Sequence, residues 1–514
     1  MAMIDFPILT ALLLLPLVTA VAVMLMPSER PGLSRAVALS GALLSLALVL
    51  FLWSQFDASA QGLQQVERRA WIPVLNVEYF LGLDGLNLLL LLLGGLLVPL
   101  ALAAPLPSKA EPRFFLALVL CLQAMVFGVF LSLNFVLWFL FWELSLIPAF
   151  LLIKIWGGSG RSRAAYQFFI YTLTGSIGML LGFLALYLAT GVFDFIALAE
   201  LARSGALLEA LNQSYGSLMG AENVRLLIFC GVLFGLAVKV PMIPFHSWLP
   251  DAYAEAPSSV TLLLTGLLSK MGLYGFLRIL LPIFPEPLQA LQPLLLGLAL
   301  ATILLSSLAA LAQTDLKRIL AYSSINHLGY CLLGLFAVVA VTTADGARDA
   351  AMSGVMLQIF NHGLTAGALF YFISLIESRS GGLHGLDDFG GLRRVAPVLC
   401  GLMGIGLFAS LGLPGLNGFV SEFLIFRGVF SLHPWAAVLA LPALLFTAIF
   451  LLRILSRVFF GPLNERWEGF ADLSLRERIC GGTAVALMFV VGIFPGVLLH
   501  LINPSVLDML RFLP

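Results

Sequence analysis

The sequence contains few charged residues. Only 11% of its 514 residues are charged, 61% are hydrophobic, and the mean hydropathy is +1.05. Soluble domains are about 25% charged and about 45–50% apolar. The formal net charge is zero, so the chain lacks the basic surface that binds nucleic acid, and we exclude nucleic acid as a partner. Composition predicts an all-α polytopic membrane protein surrounded by the lipid bilayer.

Cysteine is also scarce, and sequence motifs for bound cofactors are missing. The five cysteines occur singly, in or beside apolar runs. Their spacing matches no metal site, iron–sulfur cluster or disulfide framework, so it does not identify a redox compartment. We also find no Gly-rich nucleotide loop and no Walker motif. We therefore expect no cofactor or metal on this chain, and an energy supply from partner subunits or an ion gradient.

No polar segment is long enough to form a separate catalytic domain. The longest polar stretches lie at about 55–80, 191–223, 378–395 and 461–477. The first apolar run, Ile8–Met26, has Asp5 before it, no basic region and no clear cleavage site. We interpret it as a retained helix rather than a signal peptide.

The apolar runs predict about 14 transmembrane helices, at about 20 residues for each span. The predicted spans are 4–26, 34–54, 83–104, 112–132, 134–156, 164–190, 224–246, 258–282, 288–312, 316–343, 351–377, 396–430, 435–459 and 478–502. With both termini outside, about twice as many Lys and Arg residues fall on the inner side as on the outer side. The positive-inside rule thus places both termini on the outer side.

Two predicted helices are interrupted. The seventh contains Pro241 and Pro244 after Lys239, and the twelfth contains the stretch 413–418 before Glu422. Proline removes a backbone donor, and in lipid such a break persists only beside protein or water. Paired discontinuous helices mark the transport site between repeats in many transporters. Glu143 and Lys239 are 96 residues apart, and His327 and Glu422 are 95 apart, a similar spacing that suggests an internal repeat. We see no clear sequence similarity between the two halves, so chance also explains these spacings.

Four charged residues lie deep inside predicted spans, away from the span ends: Glu143, Lys239, Lys270 and Glu422. Each costs about 2.5–3.5 kcal/mol to insert at mid-membrane, so these residues are candidates for an ion or proton path. A buried lysine can release its proton near neutral pH, whereas arginine cannot. The alternative for Glu143 is a structural pair with a lysine. A pair that can break is also a switch, so the two interpretations overlap.

Three histidines and one further lysine are weaker candidates. His327 and His362 lie inside spans and either relay protons or make helix–helix contacts. His246 lies near a helix end, where it either takes part in proton transfer or bonds a carbonyl. Lys317 is explained by the positive-inside rule, or it supplies protons from the inner side. Asp84, before the third span, is predicted to cap that helix.

The candidate residues belong to a long series of motifs. They are Asp84-Gly85-Leu86, Trp142-Glu143-Leu144, Ile155-Trp156-Gly157-Gly158, Val238-Lys239-Val240-Pro241, His246-Ser247-Trp248-Leu249-Pro250-Asp251, Leu268-Ser269-Lys270-Met271-Gly272, Gln313-Thr314-Asp315-Leu316-Lys317-Arg318, Ser323-Ser324-Ile325-Asn326-His327, Asn361-His362-Gly363-Leu364 and Leu413-Pro414-Gly415. Together they resemble the antiporter-like subunit M (mitochondrial subunit 4 type) of proton-pumping NADH dehydrogenase, respiratory complex I or its cyanobacterial and plastid relative. The resemblance covers most of the chain, from about Asp84 onward.

The resemblance implies two inverted five-helix repeats, at 111–285 (helices 4–8) and 286–460 (helices 9–13). Helices 1–3 (1–110) precede them, and a loop with helix 14 (461–514) follows. It implies a gating pair of Glu143 and Lys239, a central proton carrier at Lys270 and a terminal site at Glu422. It also implies a non-redox subunit of an oxidoreductase, located in a bacterial inner membrane or cyanobacterial thylakoid. Its neighbours would be other antiporter-like membrane-arm subunits, with flavin, iron–sulfur clusters and quinone on partner subunits.

One residue departs from the family pattern, and another narrows the resemblance to subunit M. Tyr253 stands where the family usually has histidine, which affects the expected route of proton intake. Glu422 stands where the multisubunit sodium/proton antiporters commonly have lysine, which favours subunit M. The alternatives are a subunit of such an antiporter, a subunit of a membrane-bound hydrogenase, or a passive scaffold. The electron donor (NADH, NADPH or ferredoxin) is left open.

Overall fold

The structure is a computed structural model that describes residues 7–60, 62–107, 111–340 and 345–513, without the Asp345 side chain. The predicted span ends at 4–6 and 341–343 lie outside the described residues. The helices are α1 Ile8–Met24, α2 Pro31–Gln55, α3 Gly85–Ala103, α4 Pro112–Leu131, α5 Phe135–Leu144, α6 Leu146–Trp156, α7 Arg161–Thr190, α8 Phe195–Arg203, α9 Ala206–Met219, α10 Ala221–Lys239, α11 Trp248–Glu255, α12 Ser258–Ile283, α13 Pro285–Ala290, α14 Gln292–Ala312, α15 Leu316–Ala337, α16 Asp345–Ser380, α17 Pro397–Leu411, α18 Asn417–Leu432, α19 Pro434–Phe459, α20 Leu475–Ile493 and α21 Gly496–Leu510.

Many of these helices can cross a membrane. In the described part of the chain, 11 helices are long and apolar enough, or up to 12 if α20 and α21, bent by 66°, form one span. Apolar side chains such as Leu181 on α7 and Leu445 on α19 are both 62% exposed, as expected for a lateral surface in lipid. The prediction of a polytopic helical membrane protein is confirmed.

A β-hairpin departs from the all-α prediction. Strands β1 Gln64–Ile72 and β2 Val77–Leu83 pair antiparallel around a turn in which Asn76 is left-handed (φ 51°). The stretch 55–80 was predicted as polar loop, because its apolar residues are few. The Glu67 carboxylate accepts from the Leu9 and Thr10 backbone N–H groups at 2.7 and 3.1 Å, so the hairpin caps the start of α1.

The centre of the molecule consists of α3, α4, α12, α15 and α16, whose apolar stretches are almost wholly buried. The long helix α16 packs against α3, α12, α15 and α18. The deep polar residues of α12, α15 and α16 therefore face one another, away from lipid. Helix α12 carries π-helical turns at Leu264–Leu268 and Phe276–Leu280, on either side of Lys270.

Both predicted helix breaks are present. Helix α10 ends at Lys239, and because Pro241 has no N–H, the Ala237 carbonyl accepts from Met242 instead, at 2.9 Å. Helix α17 ends at Leu411, and Gly412 adopts the left-handed conformation (φ 81°) before α18 begins.

The predicted span 134–156 is present as one apolar span, Phe135–Trp156. Helices α5 and α6 meet at Ser145, which keeps helical dihedral angles (φ −63°, ψ −25°) and donates to the Phe141 carbonyl at 3.0 Å. Pro148 has no N–H for the Leu144 carbonyl, so one helical hydrogen bond is missing there. Glu143 therefore lies inside a membrane span, next to this weakened turn.

Candidate functional site

Lys270 and His362 are in direct contact at the centre of the core. Lys270 is fully buried, and its Nζ lies 2.6 Å from His362 Nδ1. Lys270 Nζ also donates to the Thr265 carbonyl at 3.0 Å and lies 3.3 Å from Ser269 Oγ. A charged Lys270 donates to a neutral imidazole, so this contact can pass a proton to His362.

His327 connects His362 with Glu422. The two imidazole rings lie with centroids 5.2 Å apart. His327 Nδ1 is 3.1 Å from Glu422 Oε1, and Nε2 is 3.1 Å from Ser410 Oγ. All of these side chains except Ser410 are at most 6% exposed. The sequence-predicted residues Lys270, His362, His327 and Glu422 therefore form one line of buried titratable groups.

Four amide and hydroxyl side chains hold this line in place. Gln358 Nε2 is 3.3 Å from His327 Nδ1 and 3.5 Å from Glu422 Oε1, while its Oε1 accepts from Ser421 Oγ at 2.5 Å. Asn361 donates to the Asn417 carbonyl at 2.7 Å, and Asn417 donates back to the Asn361 carbonyl at 3.2 Å. The contacts between Asn361 and Asn417 join α16 to the first residue of α18, the helix that begins after the break at Gly412.

A cavity of about 10 Å³ adjoins this network, lined by His327, Gln358, His362, Ser410 and Glu422 among others. A water molecule needs about 10–15 Å³ and two to four polar partners. The 5.2 Å step between the rings therefore has room and partners for about one bridging water.

Glu143 and Lys239 lie close to each other but are not paired. Both residues belong to the part of the chain that the structure describes, and no carboxylate oxygen of Glu143 lies within 4.0 Å of Lys239 Nζ. Lys239 is 2% exposed, and its Nζ has no hydrogen-bond partner. The ammonium instead lies 4.8 Å from the centroid of the Trp142 ring. The two side chains that were predicted to pair are therefore separate in this structure.

Lys317 borders a polar vestibule at the opposite end from Asp84. Its Nζ lies 3.3 Å from Glu377 Oε1 and donates to the Ala256 carbonyl at 2.6 Å. Ser258 Oγ donates to Glu377 Oε2 at 2.6 Å. The vestibule has a volume of about 650 Å³ and is lined by these groups. Water can reach the Lys317–Glu377 pair, so the pair can exchange protons with solvent.

Buried hydroxyl groups lie between the vestibule and Lys270. Tyr253 is 1% exposed, and its hydroxyl faces Thr265 and Ser269 without a hydrogen bond of ordinary geometry. Ser259 Oγ, also buried, has no partner either. Thr265 and Ser269 contact Lys270 directly through a carbonyl and a hydroxyl oxygen. Tyr253 therefore occupies a position from which it can pass protons inward.

His246 is not joined to the line of titratable groups. It lies in the turn between α10 and α11, half-buried, and its Nδ1 has no hydrogen-bond partner. Its backbone carbonyl accepts from the Leu249 N–H, a contact that does not involve the imidazole.

A histidine outside the membrane spans makes a second ionic contact beside the vestibule. His384 Nδ1 lies 2.6 Å from Asp315 Oδ2, and this hydrogen bond raises the pKa of His384 against the effect of burial. Burial opposes ionisation of Asp315, yet the bond from His384 lowers the pKa of Asp315 overall. Asp315 also caps α15 by accepting from the N–H groups of Lys317 and Arg318.

Asp84 has the predicted capping role and a second one. It accepts from the Asn87 N–H in a capping box and forms an ion pair with Arg278. Arg278 is in turn 3.2 Å from the Tyr274 hydroxyl.

Sequence reasoning missed Gln358 and Glu377, and it quoted Asn361 in a motif without assigning it a role. Gln358, Asn361, His362 and Thr365 follow the spacing of one helix face, which was a usable signal. Glu377 gave no such signal, because it sits at the polar end of the same helix. The site as a whole can store and pass protons. Among the described residues, no group of three or more His, Cys, Asp or Glu side chains could hold a metal ion.

Comparison with known proteins gives matches over most of the chain. A family model described as NADH:quinone oxidoreductase/Mrp antiporter, transmembrane, matches residues 132–447. The NADH-quinone oxidoreductase subunit M of Rhodobacter capsulatus is 36% identical over 478 residues, covering 92% of this chain and 90% of that protein. The F(420)H(2) dehydrogenase subunit M of Methanosarcina mazei is 37% identical over 512 residues, covering 98% and 96%.

The fold also matches a solved structure. A chain of respiratory complex I from Thermus thermophilus with bound NADH superposes with a TM-score of 0.85 at 30% identity, covering 99% of this chain and 100% of that one. The matched residues 132–447 include Glu143, Lys239, Lys270 and Glu422. The resemblance drawn from the motifs is confirmed: this chain belongs to the NADH:quinone oxidoreductase/Mrp antiporter transmembrane family.

Proposed function

We propose that this chain is a proton-translocating membrane-arm subunit of a complex I-type oxidoreductase. The observation that carries the proposal is the line of buried titratable side chains from Lys270 through His362 and His327 to Glu422. Buried charges in membrane spans are costly, and a connected series of them is the arrangement a proton relay needs.

The chemistry of the line favours protons over sodium. Sodium requires a cage of oxygen ligands, whereas the centre of this line is a lysine in contact with an imidazole nitrogen. A cationic lysine repels a metal cation, and imidazole and ammonium groups exchange protons readily. The proposal of a proton path therefore ranks above that of a sodium/proton antiporter.

The driving step is proposed to be electrostatic. Redox chemistry in partner subunits would change the charge near Glu143 and so close or open its contact with Lys239. A change at Lys239 alters the field at Lys270, which then passes its proton through His362 and His327 to Glu422. One proton moved against about 200 mV costs about 4.6 kcal/mol. A change of about three to four decades in the proton affinity of Lys270 supplies that energy.

Proton intake is proposed to begin at the vestibule. The Lys317–Glu377 pair exchanges protons with water, and Ser258, Ser259 and Tyr253 lead inward. Tyr253 takes the place of the family's usual histidine. A hydroxyl group both donates and accepts, so a chain of hydroxyls and waters can pass protons to Lys270.

The chain itself is proposed to carry no redox group. Flavin, iron–sulfur clusters and quinone would reside on partner subunits, and antiporter-like subunits would flank this one in the membrane. The chain would thus be the non-redox part of a quinone-reducing enzyme, with NADH, NADPH or ferredoxin as candidate donors.

The finer architecture is also proposed. Fourteen passages result if α1, the broken pair α17–α18 and the bent pair α20–α21 are added to the 11 long spans. The two five-helix repeats would be 111–285 and 286–460. Asp84, Arg203 and Arg278 line one pocket, and Lys317 lines the vestibule. This grouping supports the charge-based orientation, with both termini on the outer side of a bacterial inner membrane or thylakoid.

The test is to replace Glu143 or Lys239, the two residues of the proposed gate, by an uncharged residue in an intact complex. Glu143→Gln and Lys239→Met should assemble normally and abolish proton pumping in sealed vesicles. Normal pumping by assembled Glu143→Gln would refute the gating step. Purification of the tagged chain from native membranes identifies the partners: a nucleotide-binding flavoprotein module supports the NADH-driven assignment, while sodium-dependent exchange with small antiporter subunits would overturn it.

A further inference from the structure

Lys239 presents an unusual problem of stabilisation. Its ammonium is buried in the membrane core, and its Nζ has no hydrogen-bond partner. An ammonium left in such surroundings is costly. Glu143 lies too far away for an ion pair, so Lys239 stays charged in this arrangement only if a second group stabilises it.

The Trp142 ring is positioned to provide that stabilisation. Lys239 Nζ lies 4.8 Å from the ring centroid. Attraction between a cation and an aromatic face acts within about 6 Å, is strongest for tryptophan and grows when water is excluded. Trp142 is 1% exposed, so its contact with Lys239 is shielded from water.

The indole ring is fixed, whereas the lysine side chain can move. Trp142 Nε1 donates to Ser176 Oγ at 3.0 Å. The same ring is stacked on Trp138, with centroids 4.7 Å apart and planes at 27°. Lysine carries its charge on a flexible four-carbon chain, so Lys239 can move between neighbouring partners while Trp142 stays in place.

We infer that Trp142 is a positioning residue of the gate, whose ring holds the Lys239 ammonium when Glu143 releases it. This inference rests on the proposed proton-pumping function. The gate then has two positions for one cation, the Glu143 carboxylate and the Trp142 ring, carried by consecutive residues of α5. Because the open position has its own stabilising contact, the pair can separate without leaving Lys239 unpartnered.

We therefore expect substitutions of Trp142 to lower the rate of pumping by graded amounts. Removing the ring destabilises the open gate and slows each pumping cycle. It does not touch the proposed donor and quinone sites, which lie on partner subunits. Phenylalanine retains a weaker aromatic face, while leucine retains only apolar bulk. Ser176→Ala leaves the ring but removes the hydrogen-bond acceptor of the indole, and with it a hydroxyl that also faces Glu143. It is therefore the control for the polar contacts around the gate.

The experiment compares Trp142→Phe, Trp142→Leu and Ser176→Ala in the assembled complex, in sealed vesicles supplied with NADH or with whichever donor the purified complex oxidises. We expect maximal pumping to fall about 3-fold for Trp142→Phe and about 10-fold for Trp142→Leu. Ser176→Ala should stay within about 2-fold of the wild type. The KM values for donor and quinone should not change in any variant.

Three outcomes overturn the inference: Trp142→Leu pumps like the wild type, Trp142→Phe is as impaired as Trp142→Leu, or Ser176→Ala is as impaired as Trp142→Leu. The last two would assign the effect to the bulk of the side chain or to the hydrogen bonds around the gate, and not to the aromatic face. If Trp142→Leu does not assemble, Trp142→Phe and Trp142→Tyr decide: an intermediate rate supports the inference, and an unchanged rate contradicts it.

Glu143→Gln, measured in parallel, separates this inference from the function on which it rests. Normal pumping by that variant refutes the gate itself. Loss of pumping by Glu143→Gln together with normal pumping by Trp142→Leu refutes only the role of the ring.

Discussion

His362 is the position at which the proton line is easiest to interrupt selectively. It contacts Lys270 at 2.6 Å, and its ring centroid lies 5.2 Å from that of His327. In His362→Leu, the gap between Lys270 and His327 is filled by an apolar side chain of similar bulk. Positioned acid–base groups contribute about 10²–10⁴-fold to proton transfer. We therefore expect His362→Leu to reduce pumping by at least about 100-fold.

His362→Ala should behave differently. Truncation enlarges the cavity of about 10 Å³ beside the ring, and the polar groups of Gln358 and Ser410 line it. Water then replaces the imidazole, so pumping should fall by only about 10-fold or less. The assay is donor-driven acidification of sealed vesicles, normalised to the amount of assembled complex. Equal rates in the two variants, or a wild-type rate in His362→Leu, would refute the path through His362.

Three further predictions concern residues outside the line from Lys270 to Glu422. Glu377→Gln should lower pumping most at alkaline pH, where protons are scarce at the vestibule; a pH-independent loss in vesicles would contradict intake there. Since pairing with Asp315 raises the pKa of His384, the contact stabilises the fold at acidic pH and is lost as pH rises through that pKa. The contact contributes less than about 1 kcal/mol to the free energy of unfolding. His384→Gln should remove this pH-dependent contribution, which is measured by thermal unfolding at several pH values. Asp84→Asn should destabilise the chain by about 3 kcal/mol because Arg278 loses its partner, and an unchanged melting temperature would contradict this.

The sequence alone predicted the class of fold and most of the spans. Long apolar runs specify membrane helices because lipid leaves the backbone few alternatives. The breaks after Lys239 and Leu411 were also predictable, since proline and glycine act locally. The hairpin at 64–83 was not, because its stability depends on contacts such as that of Glu67 with the start of α1. Span 134–156 was predictable despite Pro148, because one proline within a span often only bends it.

The candidate site was predictable in part. Lys270, His362, His327 and Glu422 were chosen because charged and titratable groups in membrane spans are rare, and the structure brings them into one line. Their order, with His362 between Lys270 and His327, depends on how α12, α15 and α16 pack. The separation of Glu143 from Lys239 also depends on packing, because the position of Trp142 relative to α10 is a tertiary contact.

The central claim is that Lys270 carries the pumped proton. Lys270→Met removes the ammonium at nearly constant volume, and Lys270→Arg keeps a charge that cannot be released near neutral pH. The decisive measurement is the number of protons translocated for each electron pair by these variants in purified, fully assembled complex in liposomes. The account predicts that both variants lose the protons carried by this subunit. Wild-type pumping by an assembled Lys270→Met complex would contradict it.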